Sequence, residues 1–502
     1  MTASTPAKTS QSRVWLIEGR ARPDRSPSFQ SCMRAGAVSQ AFGDIERIEC
    51  PDPTAYNKFI EVGSIQGAEE RATSSVEGRF PINLTSTLLR MARKRCAFDV
   101  QYHFGTCTNP ETFTAFKKVM ILEEAHFTSY STEDLGALAS GDNAAVNETG
   151  EISAARVYEV VPLSFGAKAE AIITNEILDV VICDSLSCGD CEVESDGCQK
   201  IFALSTAAGG SPGTPADVVY SLDKGVTWYA ADIDTLGAAE VPSALDCLGN
   251  YLVVVSGLGL VSSLHYVLKS ELDGTTDPAW TEVTTGFVAG SGPLAIKEID
   301  GVAFIVGENG YVYLCEDPTA GVEVLDAGSA TTNHLKAVDA LSETFAVAVG
   351  ENSTIIKTEN QSAWTLLTPP TGVGIHYNCV AVKTEDEWWI GTSNGKLYVT
   401  YDGGDTWTEV TFSGSGSGAV YDIVFATDSV VYVAHQTAAT RARILRSIDG
   451  GAHFVTTPED STLPLEDKIN SLAVCTFDAN FLVAGGLADN GSDGAILIGQ
   501  GV

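Results

Sequence analysis

The sequence predicts a mainly β protein in two parts: an N-terminal β barrel or sandwich with one α-helix, and a C-terminal part built from repeats. The chain has 502 residues, more than one domain usually holds. Its 48 glycines favour turns between short strands. Residues 1–180 carry 18 basic and 23 acidic side chains (−5), and the rest carry 12 and 42 (−30), which together give the net charge of −35. This excess of acidic side chains excludes a protein that binds nucleic acid through contacts with the phosphates.

A short motif recurs three times in the second part. Each copy has an Asp, a Gly two residues later and an aromatic residue at its end. The defining residues are Ser221, Asp223, Gly225, Thr227 and Trp228; Asp402, Gly404, Thr406 and Trp407; and Ser447, Asp449, Gly451 and Phe454. Weaker copies end at Trp280 and Trp364. The motif resembles the Asp-box, a hairpin turn found in β-propellers. In such a turn Asp accepts backbone N–H bonds, Gly supplies a positive φ and the aromatic ring packs beneath.

Apolar runs that end in small residues recur in the same part, at the spacing of roughly 40–50 residues that is typical of a four-stranded propeller blade. The seven runs are Phe202–Ser205, Leu252–Gly257, Phe304–Gly307, Ala346–Gly350, Trp388–Gly391, Val430–Ala434 and Phe481–Gly485. They predict a propeller of seven blades over residues 201–502, with six blades as the alternative. The first unit begins directly with its apolar run, so its innermost strand is expected to be missing. We therefore expect strands exchanged between the two ends to close the ring.

The Asp-boxes and the Val-Gly-Glu-Asn pattern, as in Val306–Asn309, also resemble the propeller of plant and cyanobacterial photosystem II assembly factors. The resemblance implies the architecture alone. Those proteins are thought to bind partners through an arginine-rich patch, which this sequence lacks.

The propeller is predicted not to be an enzyme. Asp-box propellers include sialidases, which hold a substrate carboxylate with three arginines from different blades. After residue 200 this chain has only Arg441, Arg443 and Arg446, all in one blade segment. A glycosidase needs two carboxylates on either side of the sugar. Among 42 acidic residues such pairs occur by chance, so they do not indicate a catalytic site. The histidines show no metal-ligand spacing, and no cofactor is expected.

Residues 13–175 are predicted to form the N-terminal β domain, preceded by a flexible arm over residues 1–12. Strands are predicted at residues 13–19, 59–62, 72–80, 98–104, 119–127 and 156–165. Leu84, Leu88, Ala92 and Cys96 recur at every fourth position, which predicts one amphipathic helix. The acidic stretch Thr128–Ala155 is predicted to be a long loop that serves function or assembly.

Three segments of this domain, Phe59–Arg71, Phe98–Gly105 and Tyr130–Leu138, resemble the tail tube proteins of long, non-contractile-tailed bacteriophages (siphophages). The resemblance covers roughly residues 13–166. It implies homohexameric rings that stack into a tube, contacts with other tail proteins, and genomic DNA that passes the lumen without specific binding. The propeller would then project outwards and contact a host-surface glycan or protein.

The resemblance predicts a structural virion protein located in the tail. The N-terminus lacks the apolar core of a signal peptide, and no stretch is long enough to span a membrane, so we expect synthesis in the host cytoplasm without membrane insertion. The alternative is a non-assembling propeller binding protein that recognises a carbohydrate or a protein. A glycosidase is the third hypothesis.

Four cysteines, Cys183, Cys188, Cys191 and Cys198, lie in a predicted linker over residues 176–200. One C-x2-C pair suggests zinc, but the other spacings are not those of a standard zinc finger or ribbon. Three states of the cluster therefore remain as alternatives: two short disulfides within the linker, a bound zinc ion, or free thiols. The dispersed cysteines, Cys247 and Cys475 among them, are expected to be core or incidental residues.

Overall fold

The computed structural model divides the chain into two compact units, Met1–Val161 (unit 1) and Pro162–Val502 (unit 2). It describes residues 13–18, 27–29, 34–35, 45–51, 59–66, 71–81, 87–94, 97–104, 118–132, 145–168, 175–183, 198–205, 217–237, 240–258, 261–275, 278–413, 415–437, 442–456, 468–475, 478–487 and 494–501. The predicted arm over residues 1–12, Cys188 and Cys191 lie outside these ranges.

Unit 1 is built from antiparallel strands and one helix. The strands are β1 (Arg13–Glu18), β2 (Pro27–Phe29), β3 (Arg34–Ala35), β4 (Ile45–Pro51), β5 (Phe59–Gln66), β6 (Ala72–Pro81), β7 (Phe98–Phe104), β8 (Lys118–Thr132), β9 (Ala145–Ala154) and β10 (Arg156–Val160). Helix α1 (Thr87–Lys94) follows β6. The main sheet has the order β2-β1-β7-β8-β9-β6-β3, with β10 beside β8, and β4 pairs with β5. Among the described strands this order is an open path, and the predicted barrel is not seen. No helix in the described ranges is long and apolar enough to cross a membrane.

The core of unit 1 follows the predicted alternation along β7. Phe98, Val100 and Tyr102 are buried and share one cluster with Leu88 of α1. The predicted loop Thr128–Ala155 is wrong where the structure describes it, because β8 extends to Thr132 and pairs with β9. The stretches on both sides of residues 133–144 are therefore paired strands rather than parts of a loop.

Unit 2 consists of seven antiparallel four-stranded sheets, each a propeller blade. Blade 1 is β12 (Ile177–Cys183), β13 (Lys200–Ser205), β14 (Val218–Ser221) and β15 (Tyr229–Ala231). Blade 2 is β16 (Pro242–Leu248), β17 (Tyr251–Leu258), β18 (Val261–Leu268) and β19 (Thr281–Val283). Blade 3 is β20 (Pro293–Ile299), β21 (Val302–Gly307), β22 (Tyr311–Cys315) and β23 (Glu323–Ala327). Blade 4 is β24 (Leu335–Ser342), β25 (Phe345–Gly350), β26 (Ile355–Thr358) and β27 (Trp364–Leu366).

The remaining blades continue this order. Blade 5 is β28 (Tyr377–Val382), β29 (Trp388–Thr392), β30 (Leu397–Thr400) and β31 (Thr408–Val410). Blade 6 is β32 (Ala419–Phe425), β33 (Val431–Gln436), β34 (Ala442–Ser447) and β35 (Val455–Thr456). Blade 7 is β36 (Lys468–Val474), β37 (Leu482–Leu487), β38 (Gly494–Gly501) and, as its outer strand, β11 (Leu163–Lys168). The first strands of neighbouring blades contact one another in a closed cycle from β12 to β36 and back.

The ring closes by a strand from its N-terminal end. β11 pairs with β38 over six residues, from Leu163 opposite Gly501 to Lys168 opposite Ile496. Exchange therefore runs in one direction only, because blade 1 has its own innermost strand, β12. The predicted boundaries at residues 175 and 200 are displaced: the propeller begins near Pro162, and residues 177–183 are a blade strand rather than part of a linker.

Five of the seven predicted apolar runs lie within the second strand of a blade, and the other two, Val430–Ala434 and Phe481–Gly485, begin one residue before that strand. β21 and β25 are buried along their whole length, and the same strand of blade 5 carries the fully buried Trp388 and Trp389. A strand that neighbouring blades cover on both faces needs apolar side chains at every position. This burial explains the continuous runs.

Candidate functional site

The propeller presents two faces that carry different features. The first strand of each blade starts at one face, which we call the mouth face, and ends at the opposite one. Because the four strands are antiparallel, the turns between third and fourth strands lie on this opposite face. Those turns include the three predicted Asp-boxes, so we call it the box face.

The first Asp-box is a closed network of side-chain and backbone hydrogen bonds. Ser221 Oγ donates to Asp223 Oδ1 at 2.9 Å and accepts from the backbone N–H of Gly225 at 2.7 Å. Asp223 Oδ1 also accepts from Thr227 N–H at 2.7 Å, and Trp228 Nε1 donates to Gly225 O at 3.0 Å. The Asp223 carboxylate is engaged by hydrogen bonds within its own turn, so the motif is a structural element.

The other two boxes repeat this network with changed residues. Asp402 Oδ1 accepts from Thr406 N–H at 2.8 Å, and Thr400, which the sequence motif did not include, takes the place of the first Ser by donating to Asp402 Oδ1 at 2.8 Å. In the third box Asp449 is fully buried and accepts from His453 N–H at 2.9 Å. Gly225, Gly404 and Gly451 all have positive φ, as predicted for the turn. The aromatic residues Trp407 and Phe454 make edge-to-face contacts with Trp388 and Trp389, respectively.

The cysteines are paired over long distances. Cys183 bonds to Cys247, and Cys198 bonds to Cys475. The expected short disulfides, zinc ligation and free thiols are therefore wrong for Cys183 and Cys198, since ring closure brings remote partners to them. Cys247 and Cys475 are bond partners rather than incidental residues. Among the described residues, no group of three or more His, Cys, Asp or Glu side chains is placed to hold a metal.

A β-bulge recurs near the start of all seven first strands, close to the mouth face. It lies at the second residue in blades 1 to 5 and at the third residue in blades 6 and 7. The bulged residue opposes no partner on the second strand, so its side chain is freed from the regular ladder. The seven residues are all half-buried: Leu178, Ser243, Leu294, Lys336, Asn378, Tyr421 and Asn470. We call this set the mouth ring. It is apolar at blades 1 and 3 and polar from blade 4 to blade 7.

Polar side chains in and below the mouth ring join each first strand to the next. Four of the seven joints use an Asp that accepts a backbone N–H of the following blade: Asp179 from Leu245 (3.1 Å), Asp246 from Glu298 (2.7 Å), Asp339 from Val382 (2.7 Å) and Asp422 from Leu472 (2.7 Å). Lys297 Nζ lies 3.9 Å from Asp339 Oδ1, Asn378 donates to Val420 O at 3.0 Å, and Ser471 donates to Asp179 at 2.8 Å. Every joint of the ring is thus bridged.

The environment of these carboxylates favours their neutral form. Burial raises the pKa of Asp179 to about 6 and that of Asp422 to about 7, against the hydrogen bonds that each accepts. Burial also raises the pKa values of Asp246 and Asp339, and Lys297 lowers them in part. Burial disfavours the charge of Lys297, but the surrounding carboxylates outweigh it and raise the pKa of Lys297. Lys297 is therefore a built-in counter-ion, and the cluster holds the ring together.

Around the mouth ring, repeated turns hold exposed loops in place. Asn309, in the turn between β21 and β22, donates from Nδ2 to Gly290 O at 2.8 Å. Ser353, in the matching turn of blade 4, donates from Oγ to Gly372 O at 2.7 Å. The two loops held in this way carry Val288, which is 37% exposed, and Val373, which is 92% exposed. The mouth face therefore presents aliphatic side chains on fixed loops.

Blade 2 contains a Ser, His and Glu cluster that the sequence does not indicate, because its residues are spread over two strands and the preceding loop and His265 has no metal-ligand spacing. Ser263 donates to Glu240, and His265 Nε2 lies 3.0 Å from Ser256 Oγ. Burial lowers the pKa of His265, and the nearby Glu240 raises it in part. His265, Ser256 and Ser263 are fully buried, and their hydrogen bonds form a network within the core of blade 2.

Of the three arginines weighed for a sialidase site, Arg441 lies outside the described residues and the other two lie in a single blade. Arg443 and Arg446 both lie in β34 of blade 6, and Arg446 is buried. Arg443 donates to Ser413 O at 2.8 Å and contacts His435 Nδ1 at 3.2 Å. Burial and the Arg443 charge lower the pKa of His435 to about 4. These groups stabilise one blade and its connecting loop.

No protein-family model matches the chain, and no curated protein matches it. Among solved structures the chain is similar to YCF48 bound to D1 peptide, with a TM-score of 0.49, 17% identity and coverage of 68% of this chain and 96% of that one. It is also similar to the WD40 β-propeller domain of Doa1, with a TM-score of 0.45, 14% identity and coverage of 67% and 97%. A third similar structure is the GH74 xyloglucanase of Xanthomonas campestris, with a TM-score of 0.45, 13% identity and coverage of 65% and 52%. Such identities concern the fold alone. At these TM-scores the similarity carries no argument about the function of the chain.

Proposed function

We propose that the chain is a binding protein whose propeller holds a protein partner at the mouth face. The observation that carries the proposal is the pair of fixed loops that expose Val288 and Val373 beside the mouth ring. Loops that are already ordered lose little conformational entropy when a partner binds, so their apolar side chains add to affinity. This is the binding-protein alternative that the sequence left open.

The composition of the face favours a protein over a carbohydrate. Sugar rings bind best against flat aromatic surfaces, whereas the large apolar side chains exposed in the described ranges are Val and Leu. The net charge of −30 over residues 181–502 repels acidic partners. The partner segment is therefore neutral or basic and carries apolar side chains that cover the two valines. Catalysis is not part of the proposal, since the Ser, His and Glu cluster of blade 2 is a hydrogen-bonded network within the core.

An array of short peptides of varied charge and hydropathy tests this function with the full chain as probe. We expect binding to neutral and basic apolar peptides and its loss in Val373→Asp, which places a charge where apolar contact is needed. Val226→Asp is the matched control, because Val226 is 79% exposed on the box face. Equal binding by both variants, or binding to a glycan array in place of peptides, would overturn the proposal.

Assembly into a tail tube is a second candidate function. The observation that favours it is the hairpin of β8 and β9, in which Thr128, Ser129, Ser131 and Thr132 are exposed. A second copy of the chain covering this hairpin would bury it, as the proposed rings require. Negative-stain microscopy of the purified chain tests this. Rings or tubes with peripheral knobs are expected, and particles that stay monomeric at all concentrations contradict it.

A further inference from the structure

We propose that the two disulfides form a two-step redox lock on the propeller, in which the Cys183–Cys247 bond protects the Cys198–Cys475 bond. The inference does not depend on what the mouth face binds. It rests on which blades the two bonds join and on how deeply each cysteine is buried.

Both bonds hold blade 1, and each fixes it to a different neighbour. Cys183 ends β12, and Cys247 lies in β16, the first strand of blade 2. Cys198 precedes β13, and Cys475 follows β36, the first strand of blade 7. Blade 1 follows the blade in which the two ends of the ring pair, β11 with β38. The covalent links therefore lie at the two joints on either side of blade 1, one of which it shares with the closing blade 7.

The two bonds differ in exposure. Cys198 and Cys475 are both fully buried, and they belong to a cluster with Ile201, Phe481 and Ile498. Cys183 is 3% exposed, whereas Cys247 is half-buried. A thiolate must reach a sulfur in line with the bond. Cys247 is the least buried of the four bonded cysteines, so we expect an external thiol to attack there while the ring is closed. Cys198–Cys475 becomes reachable only when blade 1 moves.

The first step is ordinary thiol–disulfide exchange with a dithiol such as dithiothreitol. One thiolate of the reagent bonds to Cys247 Sγ and releases the Cys183 thiolate, which takes up a proton. The second thiol of the reagent then displaces Cys247 and leaves the reagent as a cyclic disulfide. Two electrons and two protons pass to the protein in all. The reverse step uses a small-molecule disulfide, which is reduced to two thiols while the protein bond forms again.

The loss of the first bond removes the covalent link between blades 1 and 2 but leaves blades 7 and 1 covalently linked. The hydrogen bonds from Leu245 to Asp179 and from Ser471 to Asp179 still bridge the two joints. Movement of blade 1 about the remaining bond is then less restricted. It exposes the second bond more often than in the fully oxidised chain. Mild reductant therefore loosens the ring, and complete opening needs both steps.

Timed alkylation with peptide mapping tests the lock on the full chain. The oxidised protein is incubated with dithiothreitol under native conditions, quenched with acid, alkylated and digested. We expect Cys183 and Cys247 to become alkylated at least about tenfold sooner than Cys198 and Cys475. Equal rates for the two bonds in the wild-type chain would overturn the proposal without any variant. Mapping before reduction that finds Cys188 or Cys191 bonded to any of the four cysteines would also overturn it.

A double variant, Cys183→Ser with Cys247→Ser, tests the protection itself. Reduction of Cys198–Cys475 should be faster in this variant, by a factor that approaches the difference between the two bonds in the wild type. Cys315→Ala is the matched control, since Cys315 is a buried free thiol of blade 3, away from the closure. An unchanged reduction rate in the double variant, or an equal acceleration in the control, would refute a protecting role.

Discussion

Replacement of Phe165 by Ala should destabilise the propeller, although the residue lies far from the predicted repeats. Phe165 is on β11 and is 7% exposed. Its ring packs on Gly499 of β38 so closely that a Cβ built on Gly499 would lie 2.6 Å from Phe165 Cε1. Removal of a buried Phe side chain costs about 3–5 kcal/mol when the site does not collapse. We expect a loss of this size in the free energy of unfolding of unit 2.

Urea unfolding followed by tryptophan fluorescence measures this loss. Six of the seven tryptophans lie after residue 200, so the signal reports on the propeller. Leu366→Ala is the matched control, because Leu366 is on β27, the outer strand of blade 4, but is 58% exposed. The control should change stability by less than about 0.5 kcal/mol.

A double-mutant cycle sharpens the test. Gly499→Ala should destabilise the wild-type chain, since the added methyl meets the Phe165 ring, and should cost much less in the Phe165→Ala background. If Phe165→Ala left the tryptophan-monitored transition unchanged, β11 would not belong to blade 7. The reasoning on ring closure would then be refuted.

Three further predictions concern the Asp-boxes and the first strands. Gly451→Ala should destabilise the chain by about 1–3 kcal/mol more than Gly416→Ala. Both glycines have positive φ, but a Cβ on Gly451 would lie 1.9 Å from Trp389 Cη2 and one on Gly416 would meet nothing within 4 Å; equal losses in thermal unfolding would contradict this. Asp449→Ala should cost about 1–3 kcal/mol, because it removes the hydrogen-bond acceptor of the buried Ser447 Oγ and of the part-buried His453 N–H, and it should cost more than Asp402→Ala at an exposed turn. Urea midpoints compare the two, and a larger loss in Asp402→Ala would count against the box analysis. Because the folded pKa values of Asp179 and Asp422 are raised to about 6 and about 7, their stabilising contribution is complete below the unfolded pKa and is lost as pH rises through 6–7. Asp422→Asn should therefore flatten the fall in melting temperature between about pH 5 and about pH 8, and an unchanged slope would show that Asp422 does not titrate there.

The blade number was predictable from the sequence because second strands are buried on both faces. Runs such as Ala346–Gly350 contain only apolar and small residues, and neighbouring blades cover them completely. First strands are harder to recognise, since they carry polar residues that bridge the joints. Asp179 interrupts the apolar sequence of β12, and the strand is followed by the cysteine-rich stretch, so residues 177–183 were assigned to a linker. β11 was likewise assigned to the N-terminal domain, because its partner β38 is more than 300 positions away in the chain.

The candidate site was only partly predictable for a related reason. The Asp-box turns are local, so Asp223 and Trp228 could be assigned from neighbouring residues alone. The mouth ring depends on a bulge, and a bulge leaves no fixed residue type, as Leu178, Lys336 and Tyr421 illustrate. The disulfide partners depend on closure of the whole ring, since 277 positions separate Cys198 from Cys475. Spacing within the cluster therefore gives no information on the partners of Cys183 and Cys198.

Electron cryomicroscopy of the purified full chain, at a resolution that traces individual strands, tests ring closure most directly. The account predicts seven blades, with Ile177–Cys183 innermost in blade 1 and Leu163–Lys168 outermost in blade 7. A ring of six blades, or a first blade that starts at Phe202 with residues 163–168 in the N-terminal unit, would contradict it.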